Sequence, residues 1–242
     1  MMCTVSVIKL SGLLRLVSNR DERRTRPTAL PPAVSYAGGL RIIAPKDPAS
    51  QGTWIACSEI GLAIALLNVN PPDADARVPP RSRGTIIPAL VGSRSLDEVT
   101  ARASRIEQGD YAPYRLVAIH AGEDDVLEAV PMSGVIRRWP LDAPRMFTSS
   151  GLGDHHVEGP RRQLFEETVL PGGPADWRER QDRFHAHRWR DRLSVSVHMA
   201  RAEAWTVSRT AIEIDDARIV MSYAAEPDWT TVVTIVARAS SA

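Results

Sequence analysis

The chain has 242 residues, of which 43% are hydrophobic and 24% charged, enough apolar material for a sizeable core in one large domain or two small ones. Thirty Lys plus Arg against twenty-nine Asp plus Glu leave a formal charge of +1, without the basic excess of a dedicated nucleic-acid binder. Two cysteines, Cys3 and Cys57, are too few for a secreted disulfide framework, and no apolar run approaches the roughly 20 residues that cross a membrane. No signal-peptide pattern opens the chain, so a cytoplasmic protein is the expectation.

The first 70 residues read as two hairpins. Cys3 to Leu10 and Leu13 to Val17 flank the turn pair Ser11-Gly12. A polar, Pro-rich loop is expected from about Arg20 to Gly52. Thr53 to Cys57 and Leu62 to Val69 then form a second pair of strands, and the unbroken apolar run Leu62 to Leu67 suits a strand buried on both faces. Another loop follows from Pro71 to Arg83.

Ile86 to Val91 reads as a short helix. Leu96 to Ile106 reads as a longer one, with Ser95 as N-cap and Glu98 completing a capping box. Tyr114 to His120 and Val126 to Pro131 read as strands around Glu123-Asp124-Asp125, and Val135 to Trp139 extends that sheet. Pro160 to Val169 and Pro174 to Arg190 carry helical patterns. Leu193 to Val197, Trp205 to Ile214, Arg218 to Tyr223 and Thr230 to Val236 return to strands. This order lacks a β-α-β rhythm. It fits an α+β chain in which antiparallel sheets stack and helices cover the outside, with one domain over residues 1–242.

Chemistry concentrates near the start. A cysteine heading the first strand becomes a nucleophile when its own α-amino group is free, because an amine with a pKa near 8 accepts the thiol proton. The bland alternative is a small buried hydrophobe. The second strand leads into Asn19-Arg20-Asp21-Glu22, followed by Arg26-Pro27, and the hairpin returns this segment to the side of Cys3. A carboxylate there can bind the ammonium and an Arg can hold a thiolate or a substrate carboxylate; a solvated charged turn is the competing account.

The segment Asn19-Arg20-Asp21-Glu22, Arg26-Pro27, Gly52-Thr53-Trp54-Ile55 and the run Gly61 to Asn68 resembles the NRDE family of transport-and-Golgi-organisation proteins and their bacterial relatives. The resemblance covers about the first 70 residues. It implies an N-terminal nucleophile hydrolase-like fold, a four-layer α-β-β-α sandwich with antiparallel sheets, distantly similar to bile-salt hydrolases and penicillin V acylases. By that resemblance Cys3 is the nucleophile, Asp21 orients its amine, and Asn68 donates to the oxyanion of a tetrahedral intermediate. Asn19 and Glu22 belong to the structural motif, Asn19 holding the loop. Arg20, Trp54 and Ser149 are expected at the substrate, Ser149 standing in Thr148-Ser149-Ser150-Gly151 where the amidases place an Asn. Met1 and Met2 precede Cys3, so both must be removed to free its amine.

Other clusters carry less. His185 and His187 lie two apart and point to different sides of a helix, so a solvated helix surface is expected rather than a metal site, and Asp154-His155-His156 is no stronger. The basic, aromatic stretch Trp177 to Arg190 is interleaved with Glu179 and Asp182, which cancels a nucleic-acid patch. Thr206-Val207-Ser208-Arg209 either lines the pocket or packs as a strand, and Trp54 is either a core residue or a pocket wall. Two functions follow. One is a cysteine hydrolase that cleaves a linear amide or thioester through an acyl-enzyme. The other is a catalytically silent binding or trafficking protein for a lipid or haem-type ligand. The partner in either case is a small molecule, and neither a metal nor a cofactor is expected.

Overall fold

The structure, a computed structural model, describes residues 2–70, 80–225 and 229–238. Thirteen strands among these residues form two antiparallel sheets. The first has six strands in the order β10-β1-β2-β11-β12-β13: β10 is Arg145–Ser149, β1 Met2–Leu10, β2 Leu13–Arg23, β11 Ala204–Ile214, β12 Arg218–Ala225 and β13 Trp229–Val236. The second has seven in sequence order: β3 Leu30–Ala37, β4 Leu40–Lys46, β5 Ile55–Ser58, β6 Leu62–Asn68, β7 Tyr114–His120, β8 Asp125–Val130 and β9 Val135–Pro140.

Pleating explains how the sheets pack. Cys3, Val5 and Val7 of β1 and Leu14 and Leu16 of β2 point inward, where they meet Ile43, Ile55, Ala63, Ala65 and Leu67 of the second sheet. The alternate residues Leu62, Ile64 and Leu66 of β6 meet the short helix α1 (Ile86–Leu90) and α2 (Leu96–Ala103) through Ile87, Leu90, Leu96 and Val99. Both faces of β6 are therefore apolar and covered, as its unbroken hydrophobic run requires. Outside the first sheet lie α3 (His155–Thr168) and α4 (Trp177–Ala186), joined by Leu164, Phe165 and Phe184. The layers run helix, sheet, sheet, helix: the α-β-β-α sandwich of an α+β chain.

The helix-facing side of β1 and β2 is polar although buried. Thr4, Ser6, Arg15, Asn19 and Asp21 point there, and α3 and α4 meet them with Arg161, Gln181 and His185, all buried. Each buried polar group needs a partner, so this layer fixes helices to sheet by direction rather than by greasy contact.

Several expectations change. The loop expected over 20–52 contains the end of β2 and all of β3 and β4, joined at Gly38-Gly39, both with positive φ. The prolines that argue against strands there are tolerated because β3 is an edge, and its pairing with β4 breaks register between Leu30 and Ala33, across Pro31-Pro32. Leu193 to Val195 is a 3-10 turn rather than a strand. The helices expected over 96–106 and 174–190 stop at Ala103 and span only 177–186; at Ser95 the predicted cap is present, its Oγ accepting from Glu98 N–H at 3.1 Å. Of the loop expected over 71–83, residues 71–79 lie outside the described residues. No described helix is long and apolar enough to cross a membrane.

Candidate active site

The start of β1 and the ends of β2 and β6 meet at one end of the sandwich. Backbone pairing sets Cys3 opposite Arg20 on one side and opposite Ser149 on the other, and sets Met2 opposite Asp21. The Asn-Arg-Asp-Glu segment is thus the final stretch of a central strand, with all four residues buried, rather than a charged turn. Alternation along β2 then splits the signature between two faces. Arg20 and Glu22 share the inner face with Cys3, while Asn19 and Asp21 look toward the helices.

On the inner face, Cys3, Arg20, Trp54 and Asn68 line one cavity of about 400 Å3. Burial, reinforced by the Asp21 carboxylate, pushes the Cys3 thiol up to about 12, although Arg20 and a hydrogen bond from the Asp21 backbone N–H oppose the rise. Arg20 stacks 4.1 Å above the Trp54 ring and donates through Nη2 to Asp47 at 3.0 Å and to Glu22 at 3.2 Å. Arg26 donates to the same Asp47 oxygen, at 2.9 Å from Nη2. Burial works against the Asp47 charge, but Arg26 and the backbone N–H groups of Ala49 and Ser50 hold its carboxyl below the ordinary range. Trp54 is both core residue and cavity wall: it packs in the inter-sheet core and its indole N–H has no partner among the described residues.

Asn68 closes β6 at the cavity edge, where the strand pairs Asn68 with Tyr114. Ser149 ends β10, buried beside β1; its Oγ accepts from the Cys3 backbone N–H at 3.3 Å, and it does not line the cavity. The turn expected around it begins only at Ser150, since Thr148 and Ser149 still belong to the strand.

On the helix face, Asp21 accepts from Thr206 Oγ1 at 2.5 Å through Oδ1, while its buried Oδ2 has no partner among the described residues. Burial pushes this carboxyl up to about 7, against the pull of the nearby Arg161 charge and the Thr206 bond. A β-bulge at Val207 brings Thr206 to that face and returns Ser208 to the inner one. Thr206-Val207-Ser208-Arg209 therefore supports Asp21 from behind the sheet and does not line the Cys3 cavity.

Three elements here are not signalled by the sequence. Arg161 is fully buried and gives all its bonds to neutral oxygens: Thr4 and Thr148 hydroxyls at 2.8 Å, Ser196 carbonyl at 2.6 Å and Val195 carbonyl at 3.0 Å. Desolvation pulls its pKa down to about 10, with Asp21 and Cys3 acting the other way. His185, expected on a solvated surface, is buried instead. Its Nε2 lies 2.7 Å from Ser6 Oγ and its Nδ1 3.0 Å from Asn19 Oδ1, and Asn19 Nδ2 donates to the carbonyls of His185 and Val197. Asn19 thereby ties β2 to α4. Asp47 comes from the stretch read as loop. Among the described residues no three His, Cys, Asp or Glu side chains converge as metal ligands.

The sequence of residues 2–135, more than half of the chain, matches the family model described as Transport and Golgi organisation 2. The chain belongs to that family. No curated protein matches it significantly. Among solved structures, this family member is similar to a single-residue variant of a conjugated bile acid hydrolase from Clostridium perfringens, with TM-score 0.53 and 12% identity over 98% of this chain and 97% of that one. It is similar also to the Caenorhabditis elegans N-acylethanolamine-hydrolyzing acid amidase ortholog, with TM-score 0.56 and 11% identity over 87% and 92%. At such identities the likeness is one of fold: the family member has the N-terminal nucleophile hydrolase fold.

Proposed function

We propose that the chain is a cysteine N-terminal nucleophile hydrolase that cleaves a linear amide, or a thioester, through an acyl-enzyme at Cys3. The observation that supports this reading is Asp21, a buried carboxyl group with one oxygen unpartnered among the described residues, on the strand paired with the Met2-Cys3 end of β1. Left as it is, such a group is costly. Cleavage of the Met2–Cys3 peptide bond creates an amine at that place, and its ammonium form is the partner Oδ2 lacks.

The chemistry then balances without a further group. The neutral Cys3 amine takes the thiol proton, and the thiolate adds to the amide carbonyl, forming a C–S bond as the π pair moves to oxygen. Asn68 donates to that oxyanion, an interaction worth a few kcal/mol of barrier in such sites. Collapse breaks the C–N bond, and the departing amine takes the proton from the Cys3 ammonium. Water, losing a proton to the same amine, then attacks the thioester and releases the acid, and the sulfur recovers the proton. In this scheme Arg20 and Trp54 form the cavity wall, and Ser149 holds the Cys3 nitrogen.

A second reading rests on the Cys3 thiol itself. With Met2 in place its nitrogen is an amide and burial pushes the thiol up to about 12, so an unprocessed chain is catalytically silent, which favours a binding or trafficking protein for a lipid or haem-type ligand on the same fold. We read the whole chain as one domain, in which both sheets share one core, acting in the cytoplasm, where Cys3 and Cys57 stay reduced; both are free thiols in the structure. Intact mass after an acid quench, with a long-chain acyl amide or thioester as substrate, separates the readings. A chain starting at Cys3 that gains one acyl mass on Cys3 supports the hydrolase. A chain that starts at Cys3 and never acquires an adduct or releases acid rules it out.

A further inference from the structure

Among the described residues, the charges that line the Cys3 cavity do not cancel. Among the described residues, Arg20, Arg26, Arg81 and Arg83 bring guanidinium groups to its lining, and Asp47 brings the one carboxylate. Asp47 is already used by Arg20 and Arg26, and Arg20 is further neutralised by Glu22. The largely exposed Arg81 side chain leans toward Asp110 at 3.5 Å. Arg83 is different. It is partly buried, it donates through Nη1 to the Pro113 carbonyl at 2.9 Å, and no carboxylate pairs with it among the described residues.

A guanidinium held in a partly dry wall with no carboxylate in contact gains from an anion that reaches it, and its planar fork suits carboxylate-like oxyanions. Desolvation pulls the Arg83 pKa below the ordinary value, with Cys3 and Glu22 acting the other way. The same cavity offers an apolar wall at Trp54 and Leu66. Cation and grease on one cavity call for an amphipathic acid.

We propose that Arg83 is a specificity residue that pairs with an anionic group of the substrate, so that the site selects amides carrying a carboxylate over neutral amides of the same acyl length. This rests on the reading of the cavity as the substrate site beside Cys3. N-acyl amino acids are the simplest members of the class. The carboxylate engages the Arg83 nitrogens not committed to Pro113, the acyl chain covers Trp54 and Leu66, and the amide carbonyl lies at Cys3.

The test uses binding, so that it does not depend on turnover. Full-length Cys3→Ala protein is titrated calorimetrically with N-decanoylglycine and with N-decanoylethanolamine, which differ in charge but hardly in size. The first is expected to bind about tenfold tighter or more, as charge-assisted hydrogen bonds allow. Arg83→Gln is expected to abolish the preference and Arg83→Lys to keep part of it. Equal binding of the two ligands, binding of neither, or a preference that survives Arg83→Gln overturns the assignment. Failure of the hydrolase reading shows separately, as absence of an acyl-enzyme with normal N-decanoylglycine binding.

Discussion

Thr206 donates its hydroxyl to Oδ1 of Asp21, while Oδ2 of the same buried carboxylate has no partner among the described residues. The bulge at Val207 makes this pairing possible, because without the extra residue β11 would show Thr206 and Ser208 to the same face. One oxygen of this carboxyl group is thus held in place, and the other is not. That asymmetry separates Asp21 from Asp47, a buried carboxylate whose oxygens are filled by Arg20, Arg26 and two backbone N–H groups.

The first prediction concerns stability of the chain that retains Met2. Asp21 has a folded pKa of about 7 against an ordinary 3.8, so between those values the folded state holds a proton that the unfolded state has released. Stability from this group is present below about pH 4 and is lost as pH rises toward 7, a swing on the order of 4 kcal/mol at most. Wild type should therefore lose ground to Asp21→Asn, in denaturant midpoint, as pH rises from about 4 to 7. Parallel curves for the two proteins would contradict the burial account.

His185 predicts the opposite slope. Burial, with Arg209, Arg15 and Arg161 adding repulsion, holds its pKa well below the ordinary 6.5. The neutral ring, bonded to Ser6 and Asn19, contributes stability above about pH 6.5 that is lost as pH falls. His185→Gln should cost about 2–4 kcal/mol at neutral pH, and less in acid. A difference that does not shrink on acidification would remove His185 from the polar layer.

Arg161 joins the two halves of the site from behind. Arg161→Met leaves the Thr4 and Thr148 hydroxyls and two carbonyls short of donors, a loss of about 2–4 kcal/mol by urea denaturation. It also removes the charge that most strongly lowers the Asp21 pKa, which should rise further in a carbon-13 carboxyl titration. A lowered stability with an unmoved Asp21 titration would mean that Arg161 serves packing alone.

What the sequence discloses, and what it hides, divides along physical lines. The unbroken run Leu62 to Leu67 and the alternating Trp205 to Ile214 announce strands, since each period reports the surroundings of one element. The hairpin turn at Ser11-Gly12 places Asn19-Arg20-Asp21-Glu22 beside Cys3, whereas bringing Trp54 and Asn68 to the same end is what the family resemblance implies. β3 and β4 are hidden because Pro31, Pro32 and Pro45 imitate a loop, although Gly38-Gly39 marks the turn. The buried role of His185 has no local signal: its neighbours on and after α4 are Arg183, Arg188 and Arg190, and only the tertiary pairing with Asn19 takes it out of water. Arg83 is invisible for the same reason, as an ordinary loop arginine until β6 and β1 close the cavity around it.

The most direct test of the account compares two forms of the protein, one beginning at Met1 and one cut to begin at Cys3. Each is treated under native conditions at neutral pH with a thiol-reactive acyl probe, and the modified residue is located by mass spectrometry. The account predicts rapid labelling of Cys3 in the cut form, no labelling of Cys3 in the form that keeps Met2, and loss of the labelling in cut Asp21→Asn. Equal reactivity of Cys3 in the two forms, or none in the cut form, would contradict it.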